Sequence, residues 1–221
     1  MRLPSLTLYV VLDPDLSERS GGLIPTALAA VRGGASILQL RAPAWKKRRF
    51  VEAARALKKA LAEASALPPT PLIIDDHADV MLAAGADGLH VGQDDLPVED
   101  ARRLIGAQRI LGLSAGSLEE LGSAPAALVD YYGVGAVYST QTKKDAGDAI
   151  GLGGLRQVVE AAHAWGKPCV AIGGIHLENA ADVARTGVDG AAVISAVCGR
   201  SDPKAAARAL LAQFLAGVPR G

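Results

Sequence analysis

The sequence predicts a (β/α)8 barrel, a TIM barrel in which eight parallel strands alternate with helices around one closed sheet. Eight short runs of apolar and β-branched residues recur along the chain, and amphipathic stretches separate them. No linker divides the 221 residues, so we expect a single barrel domain over 1–221. An open doubly wound sheet is the alternative, but no G-x-G-x-x-G of its dinucleotide-binding form follows the first strand.

The strands are predicted where short apolar runs lead into polar tips. In chain order they cover residues 6–12, 36–41, 71–75, 87–91, 109–114, 131–137, 168–172 and 189–194. The segments GGASILQL, GADGLHVG and GVDGAAVI each carry a helix end into a strand, which supports a repeating unit.

The helices are predicted between these strands, and the clearest one covers 45–64. Charged side chains occupy its outer faces, while its apolar face is formed by Phe50, Ala54, Leu57 and Leu61. Glycines that are typical of helix ends follow later amphipathic stretches, at Gly85, Gly166 and Gly187.

The composition limits the classes of function. Hydrophobic residues make up 50% of the chain and the formal net charge is zero, which is typical of a globular protein without a general affinity for nucleic acid. The early apolar stretch LTLYVVL is too short to span a membrane. Cys169 and Cys198 form no C-x-x-C motif. We therefore expect a soluble, cytoplasmic protein without nucleic-acid or membrane partners. The strand ends described below predict small phosphorylated molecules as its partners.

Polar residues follow nearly every predicted strand, at the rim where barrels of this kind build their sites. In the second strand, period-two alternation places Gln39 and Arg41 on one face, and Leu38 and Leu40 on the face that packs against helices. The later strands lead to Asp75-Asp76, Asp94-Asp95, Ser114, the segment 139–147, Gly173-Gly174 and Ile194-Ser195.

Each strand end also has an ordinary structural explanation. The aspartates at 75–76 fit a helix cap, GQDDLP fits a turn before a helix near Pro97, and the glycines at 173–174 fit a tight turn. Ser195 fits the cap of a short helix. Taken together, however, polar ends on one rim favour a functional site.

His90 alternates with Leu89 and Val91, so its side chain is expected inside the barrel. We predict a core histidine with one hydrogen-bond partner rather than a ligand or a base.

The strand ends divide by charge into two sets. The acidic set is Asp75, Asp76, Asp94 and Asp95, and carboxylates without clustered histidine or cysteine suit Mg²⁺. The other set is basic or donates hydrogen bonds, and its members are Arg41, Thr140, Thr142, Lys143, Gly174 and Ser195. The segment STQTKKDAG combines hydroxyl, backbone N–H and ammonium groups, which suit a phosphate. The ends of strands seven and eight fit a second phosphate. One metal ion and two phosphorylated groups suggest a transfer reaction with phosphate or pyrophosphate as the leaving group.

Seven motifs, in order along most of the chain, resemble the thiamine phosphate synthase family. They are QLR, DD, GLHVGQDDL, LGLS, TQTKKDAG, AIGGI and VISAV. The resemblance implies a (β/α)8 barrel that joins hydroxymethylpyrimidine diphosphate to a thiazole phosphate, releasing pyrophosphate and forming thiamine phosphate.

The resemblance also implies a role for each matching position. The pyrimidine diphosphate would be held by Gln39, Arg41, Asp75, Ser114 and Lys143. The thiazole phosphate would be held by Thr140, Thr142, Gly174, Ile194 and Ser195. Mg²⁺ would be held by Asp76 and Asp95. Arg41, Lys143 and Ser114 would act on the departing diphosphate. The cysteines would then be packing residues.

Three positions depart from the family pattern. The family commonly has lysine where Pro43 stands, asparagine at Asp75 and histidine at Gly116. The first two changes make the diphosphate site less positive. We hypothesise that Lys46 or Lys47 reaches the diphosphate instead; the alternative is that these lysines belong to a solvated basic face.

Two other functions are open. A sister group with this barrel isomerises the thiazole carboxylate phosphate without a metal, and it often carries a histidine where this chain has Ala136. The other alternative is a non-catalytic barrel that binds phosphorylated thiamine precursors.

Overall fold

The computed structural model describes residues 3–64, 70–140 and 148–219, in which eight parallel strands close into a barrel in chain order. The strands are β1 (Leu8–Leu12), β2 (Ile37–Leu40), β3 (Leu72–Asp75), β4 (Gly88–Val91), β5 (Ile110–Ala115), β6 (Tyr131–Val134), β7 (Cys169–Ile172) and β8 (Gly190–Val193). Pairing of β1 with β8 closes the sheet, so the prediction of a (β/α)8 barrel is confirmed and the open sheet is excluded.

The helices lie between the strands and cover the outside of the barrel. They are α1 (Pro14–Ser17), α2 (Leu23–Arg32), α3 (Lys47–Ala64), α4 (Ala78–Ala84), α5 (Val98–Ile105), α6 (Leu118–Leu121), α7 (Gly151–Ala164), α8 (Ala180–Ala184) and α9 (Pro203–Gly217). Helix α5 begins directly after Pro97, and α4 ends at Gly85 in the left-handed conformation, both as predicted. Among helices of the described residues, none has the length and apolarity to cross a membrane.

The predicted strand 131–137 is three residues too long, because β6 ends at Val134. Val137 N–H and Tyr138 N–H still donate to the carbonyls of Ile172 and Gly173, so this segment runs beside the end of β7. A Cβ atom on Gly135 would lie 2.0 Å from the Ile172 carbonyl oxygen, which explains why glycine occupies this close approach.

Alternation along the strands produces two separate apolar cores. Leu38 and Leu40 belong to the larger core between strands and helices, together with Phe50 of α3. The smaller core fills the barrel interior and consists of Leu6, Tyr9, Val11, Ile37, Ile73, Ile110, Tyr131, Val170 and Ala192. The same alternation directs Gln39 inward, above this smaller core, as the sequence predicts.

The amino ends of the strands share a second repeated feature. The residue just before each even-numbered strand accepts a hydrogen bond from the backbone N–H at the start of the preceding odd-numbered strand. These pairs are Ser36 with Leu8 (3.3 Å), Asp87 with Leu72 (2.9 Å), Asp130 with Leu111 (2.8 Å) and Asp189 with Cys169 (2.8 Å). The repeating unit of the fold therefore comprises two strands.

Candidate active site

A cavity of about 660 Å³ lies at the carboxyl ends of the strands. Its lining includes the predicted residues Gln39, Arg41, Asp75, Asp76, Asp95, Ser114, Thr140, Gly174, Ile194 and Ser195. Thr142 and Lys143 lie outside the described residues. The barrel thus brings residues from strands far apart in sequence to one cavity, and their individual roles stay predictions.

Arg41 and Asp75 form an ion pair at the end of β2 and β3. Arg41 Nε lies 3.1 Å from Asp75 Oδ2, and both side chains are largely shielded from solvent, with exposures of 16% and 11%. Asp75 therefore partly neutralises a cation that is predicted to bind the diphosphate. An asparagine at this position, which the resemblance leads us to expect, would carry no such charge.

Asp76 and Asp95 line the same cavity from the ends of β3 and β4. Asp76 adopts a left-handed backbone conformation, with φ of 57°, and its N–H donates to the carbonyl of His90 at 2.8 Å. Aspartate tolerates this conformation better than most residues. Asp95 Oδ2 accepts a hydrogen bond from Gly92 N–H at 2.8 Å, which fixes the turn that carries it.

The carboxylates fit a hard cation rather than a preformed metal cage. Within residues 3–64, 70–140 and 148–219, no group of three or more His, Cys, Asp or Glu side chains could hold a metal ion by itself. Mg²⁺ commonly takes one or two carboxylates and completes its coordination with water and substrate phosphates. The pair Asp76 and Asp95 matches this donor set.

The opposite side of the cavity is formed by the segments that follow β6, β7 and β8. Gly174 has φ of 63°, and a Cβ atom there would lie 2.7 Å from Cβ of Tyr138, so glycine lets the two segments pack closely. Ile194 begins a helical turn, because its carbonyl accepts from the N–H groups of Val197 and Cys198. Thr140 and Ser195 line this side of the cavity.

A chain of hydrogen bonds crosses the barrel interior at the floor of the cavity. Gln39 Nε2 donates to Tyr9 Oη at 3.0 Å, and Tyr9 Oη lies 2.8 Å from Tyr131 Oη. Tyr131 Oη lies 2.9 Å from His90 Nδ1, and His90 Nε2 lies 3.0 Å from Ser114 Oγ. The prediction of one partner for His90 is wrong: both ring nitrogens have a partner, because Ser114 and Tyr131 point inward from β5 and β6.

The two tyrosines were not singled out by the sequence reasoning. Their positions could have been inferred from Gly112 and Gly133, two glycines that face the interior from β5 and β6. A Cβ atom on Gly112 would lie 2.3 Å from Tyr131 Cζ, and one on Gly133 would lie 3.0 Å from His90 Cε1. Small residues on neighbouring strands thus indicate where large polar side chains fill the barrel.

The hypothesis that Lys46 or Lys47 reaches the diphosphate is not supported by their positions. Lys47 Nζ donates to Asp79 Oδ1 at 2.9 Å and lies 3.0 Å from His77 Nδ1, and neither lysine lines the cavity. Burial, followed by the charge of Lys47, lowers the pKa of His77 below its usual range. Lys47 therefore forms a polar cluster outside the cavity.

Gly116 and Ala136, where the resemblance leads us to expect histidine in this family or in its sister group, also line the cavity. A Cβ atom on Gly116 would lie 2.9 Å from the Gly135 carbonyl oxygen, so the local backbone favours glycine over histidine. Ala136 contributes no ionisable group to the lining. Residues without a sequence signal also contribute, namely Glu120, Asp148, His176 and Arg200.

The comparisons with known proteins agree with this architecture. The chain matches the family described as thiamine monophosphate synthase over residues 8–197. A thiamine-phosphate synthase from Xanthobacter autotrophicus is 51% identical over 211 residues, which span 96% of this chain and 96% of that protein. Another, from Laribacter hongkongensis, is 45% identical over 206 residues, or 93% of this chain and 94% of that protein.

Solved structures give the same result. A thiamine phosphate pyrophosphorylase from Pyrococcus furiosus matches with a TM-score of 0.81 and 39% identity, covering 95% of this chain and 96% of the other. A 3-hexulose-6-phosphate synthase matches with a TM-score of 0.67 at 21% identity, and therefore shows the shared fold alone. By sequence and by structure, the chain belongs to the thiamine monophosphate synthase family.

Proposed function

We infer that this chain is a thiamine-phosphate synthase, a transferase that joins hydroxymethylpyrimidine diphosphate to a thiazole phosphate. The observation that carries the proposal is that residues assigned to both substrates line one cavity, in a chain whose relatives are named thiamine-phosphate synthases. The cytoplasm is its proposed location, because both cysteines are buried and free, as in proteins of reducing compartments.

The pyrimidine diphosphate is assigned to the side of the cavity formed by β2 to β5. Its proposed ligands are Gln39, Arg41, Asp75, Ser114 and Lys143. Asp76 and Asp95 would hold Mg²⁺, which when bound neutralises negative charge on the diphosphate. The thiazole phosphate is assigned to the opposite side, where barrels often bind phosphate after strands seven and eight. Its proposed ligands are Thr140, Thr142, Gly174, Ile194 and Ser195.

The residues assigned to the diphosphate favour its departure. The bond between the pyrimidine methylene carbon and the diphosphate oxygen breaks, and its electron pair leaves with pyrophosphate. Arg41 and Lys143 stabilise the charge that develops on the leaving group, and Ser114 donates a hydrogen bond to it. The aminopyrimidine shares the positive charge left on carbon. The thiazole nitrogen then forms the new carbon–nitrogen bond, so the protein supplies no nucleophile.

One assay distinguishes the synthase from the two alternatives, the thiazole tautomerase and the non-catalytic barrel. The purified protein is incubated with both substrates, with and without Mg²⁺, and the products are separated and identified by mass. We expect thiamine phosphate and pyrophosphate in equal amounts, and only when Mg²⁺ is present. Isomerised thiazole without added metal would indicate the tautomerase, although Ala136 offers no base there. Binding of both precursors without any product would indicate a carrier.

The metal assignment has its own test. Asp76→Asn removes one proposed Mg²⁺ ligand and should abolish metal-dependent turnover. Mn²⁺ titrated in the presence of pyrophosphate and followed by electron paramagnetic resonance should also show a large loss of bound metal. Asp94→Asn is the matched control, because Asp94 lines the cavity beside Asp95 but is not one of the two carboxylates assigned to Mg²⁺. Turnover and Mn²⁺ binding that survive in Asp76→Asn would contradict the assignment.

A further inference from the structure

The hydrogen-bond chain from Gln39 to Ser114 is built into the interior of the barrel. Gln39, Tyr9 and Tyr131 are 5%, 1% and 0% exposed. The rings of Tyr131 and His90 also contact each other, with centroids 5.5 Å apart. Five strands contribute to the chain, so its geometry depends on the closed barrel rather than on one loop. Only its two ends, Gln39 and Ser114, carry predicted substrate roles.

The direction of donation along this chain follows from the groups themselves. The Gln39 Nε2 group only donates, so Tyr9 Oη accepts from it and directs its single proton to Tyr131. Tyr131, which accepts from Tyr9, then directs its own proton to His90 Nδ1. With Nδ1 as the acceptor, the ring proton of His90 lies on Nε2 and is donated to Ser114 Oγ.

The opposite direction would leave a proton without an acceptor. If His90 Nδ1 carried the proton, Tyr131 would accept from His90 and donate to Tyr9. Tyr9 would then face two donors, Gln39 and Tyr131, and its own buried proton would have no acceptor among these partners. Such a buried unsatisfied donor costs about 1–3 kcal/mol.

Both phenols retain their protons, as this directed chain requires. Burial, together with the neighbouring Tyr131 and the charge of Asp75, raises the pKa of Tyr9 well above its ordinary value of 10.0. Burial also raises the pKa of Tyr131.

We propose that the Gln39 amide sets the direction of the whole chain, holds His90 as its Nε2–H tautomer and thereby turns the Ser114 hydroxyl proton toward the cavity. Because Ser114 accepts from His90, its own proton is available for an oxygen of the diphosphate. His90 and Tyr131 are then positioning residues that act through Ser114. The final step, donation to the diphosphate, rests on the proposed function; the tautomer of His90 does not.

The tautomer is measured directly by long-range ¹H–¹⁵N correlation spectra of protein labelled with ¹⁵N-histidine, without substrate. His90→Gln assigns the signal among the four histidines of the chain. We expect a protonated Nε2 and an unprotonated Nδ1. A proton on Nδ1, or on both nitrogens, would overturn the proposal.

Gln39→Glu tests whether Gln39 sets the direction. A carboxylate at this position accepts instead of donating, so Tyr9 should donate to it and every later bond should reverse. At pH 8.5 we expect the His90 proton to move to Nδ1. An unchanged tautomer in this variant would show that Gln39 does not control the chain.

Tyr131→Phe tests the link to Ser114 by kinetics, since Tyr131 does not line the cavity. We expect a rise of about three- to tenfold in the KM for the diphosphate substrate, with a smaller change in kcat. In a Ser114→Ala background the same substitution should have no further effect. Equal effects in both backgrounds would assign Tyr131 a merely structural role. If Ser114→Ala alone leaves the KM unchanged, the assignment of Ser114 to the diphosphate fails, while the tautomer result still stands.

Discussion

At the scale of single residues, the ion pair between Arg41 and Asp75 affects a side chain that is predicted to bind the diphosphate. The carboxylate lies 3.1 Å from the guanidinium in a partly buried position, where a charge pair is screened less than on the surface. A diphosphate that binds Arg41 must compete with Asp75. The cation is therefore positioned by the carboxylate, but its attraction for the substrate is reduced.

Asp75→Asn should release this competition while keeping the size of the side chain. We expect the KM for hydroxymethylpyrimidine diphosphate to fall by about three- to tenfold, because the full charge of Arg41 then faces the substrate. Steady-state kinetics at several ionic strengths would measure the effect.

Asp79→Asn is the matched control for this prediction. Asp79 pairs with Lys47 outside the cavity, and both side chains are more than half exposed. Its substitution should leave the KM unchanged. A KM that stays constant or rises in Asp75→Asn would contradict the predicted competition between Asp75 and the diphosphate for Arg41.

At the scale of secondary-structure elements, one end of the barrel forms the cavity and the other end carries bonds that stabilise the sheet. The carboxyl ends of the strands line the cavity, while the amino ends carry the repeated bonds from Ser36, Asp87, Asp130 and Asp189. The last three also bind a positively charged or ionisable partner, namely Lys58, Arg102 and His163. These bonds hold adjacent strands in register at the end opposite the site.

Asp87→Ala should lower the stability of the barrel without changing its chemistry. The substitution leaves the Leu72 N–H without its acceptor and removes the partner of Lys58. We expect a loss of about 1–3 kcal/mol in the free energy of unfolding, measured by urea denaturation. The kcat and KM of the folded enzyme should not change, because Asp87 lies at the far end of β4.

Asp182→Ala provides the comparison for Asp87. Asp182 of α8 forms an exposed ion pair with Arg185, the residue that follows this helix, and such pairs contribute about 0–1 kcal/mol. Equal destabilisation by the two substitutions would mean that the strand-end bonds contribute no more than a surface ion pair.

At the scale of the whole molecule, the reactivity of the two buried cysteines depends on whether the barrel is folded. Cys169 lies in β7 with 0% exposure, and Cys198 follows β8 with 1% exposure. Burial, and then the charge of Asp189, raises the pKa of the Cys169 thiol to about 12, and burial raises the pKa of the Cys198 thiol. Both thiols should resist alkylation in the folded protein, since the reactive thiolate is suppressed.

The raised pKa of Cys169 also predicts how stability depends on pH. Above its ordinary value of 9.0, the thiol ionises in the unfolded chain while the folded thiol stays protonated until about 12. The unfolded state then binds fewer protons, so this thiol's contribution to stability is complete below pH 9 and is lost as the pH rises toward 12. The slope is about 1.4 kcal/mol per pH unit.

Urea denaturation of the native chain and of Cys169→Ala, between pH 8 and 11, would measure this contribution. The difference between the two slopes isolates the thiol from the other groups that titrate in this range. Parallel curves would show that Cys169 ionises equally in both states.

The order of the elements was predictable because it depends on local patterns. Alternation in ILQLR places Gln39 inside and Leu40 outside, and Pro97 and Gly85 mark helix ends through backbone geometry. The end of β6 was placed wrongly because residues 135–137 are apolar but follow the close approach of Gly135 to β7. The family resemblance was confirmed over residues 8–197, whereas the single-domain boundary and the role of each site residue stay predictions.

The sequence by itself therefore determined the barrel, the family and the rim that carries the polar strand ends, since each of these depends on residue type and spacing along the chain. Tertiary structure alone decided which side chains meet across the interior. Tyr9 and Tyr131 are 122 residues apart, and their contact follows from closure of the barrel. A period of two specifies the face of a strand on which a side chain lies, but only the closed sheet specifies its partner on the opposite wall.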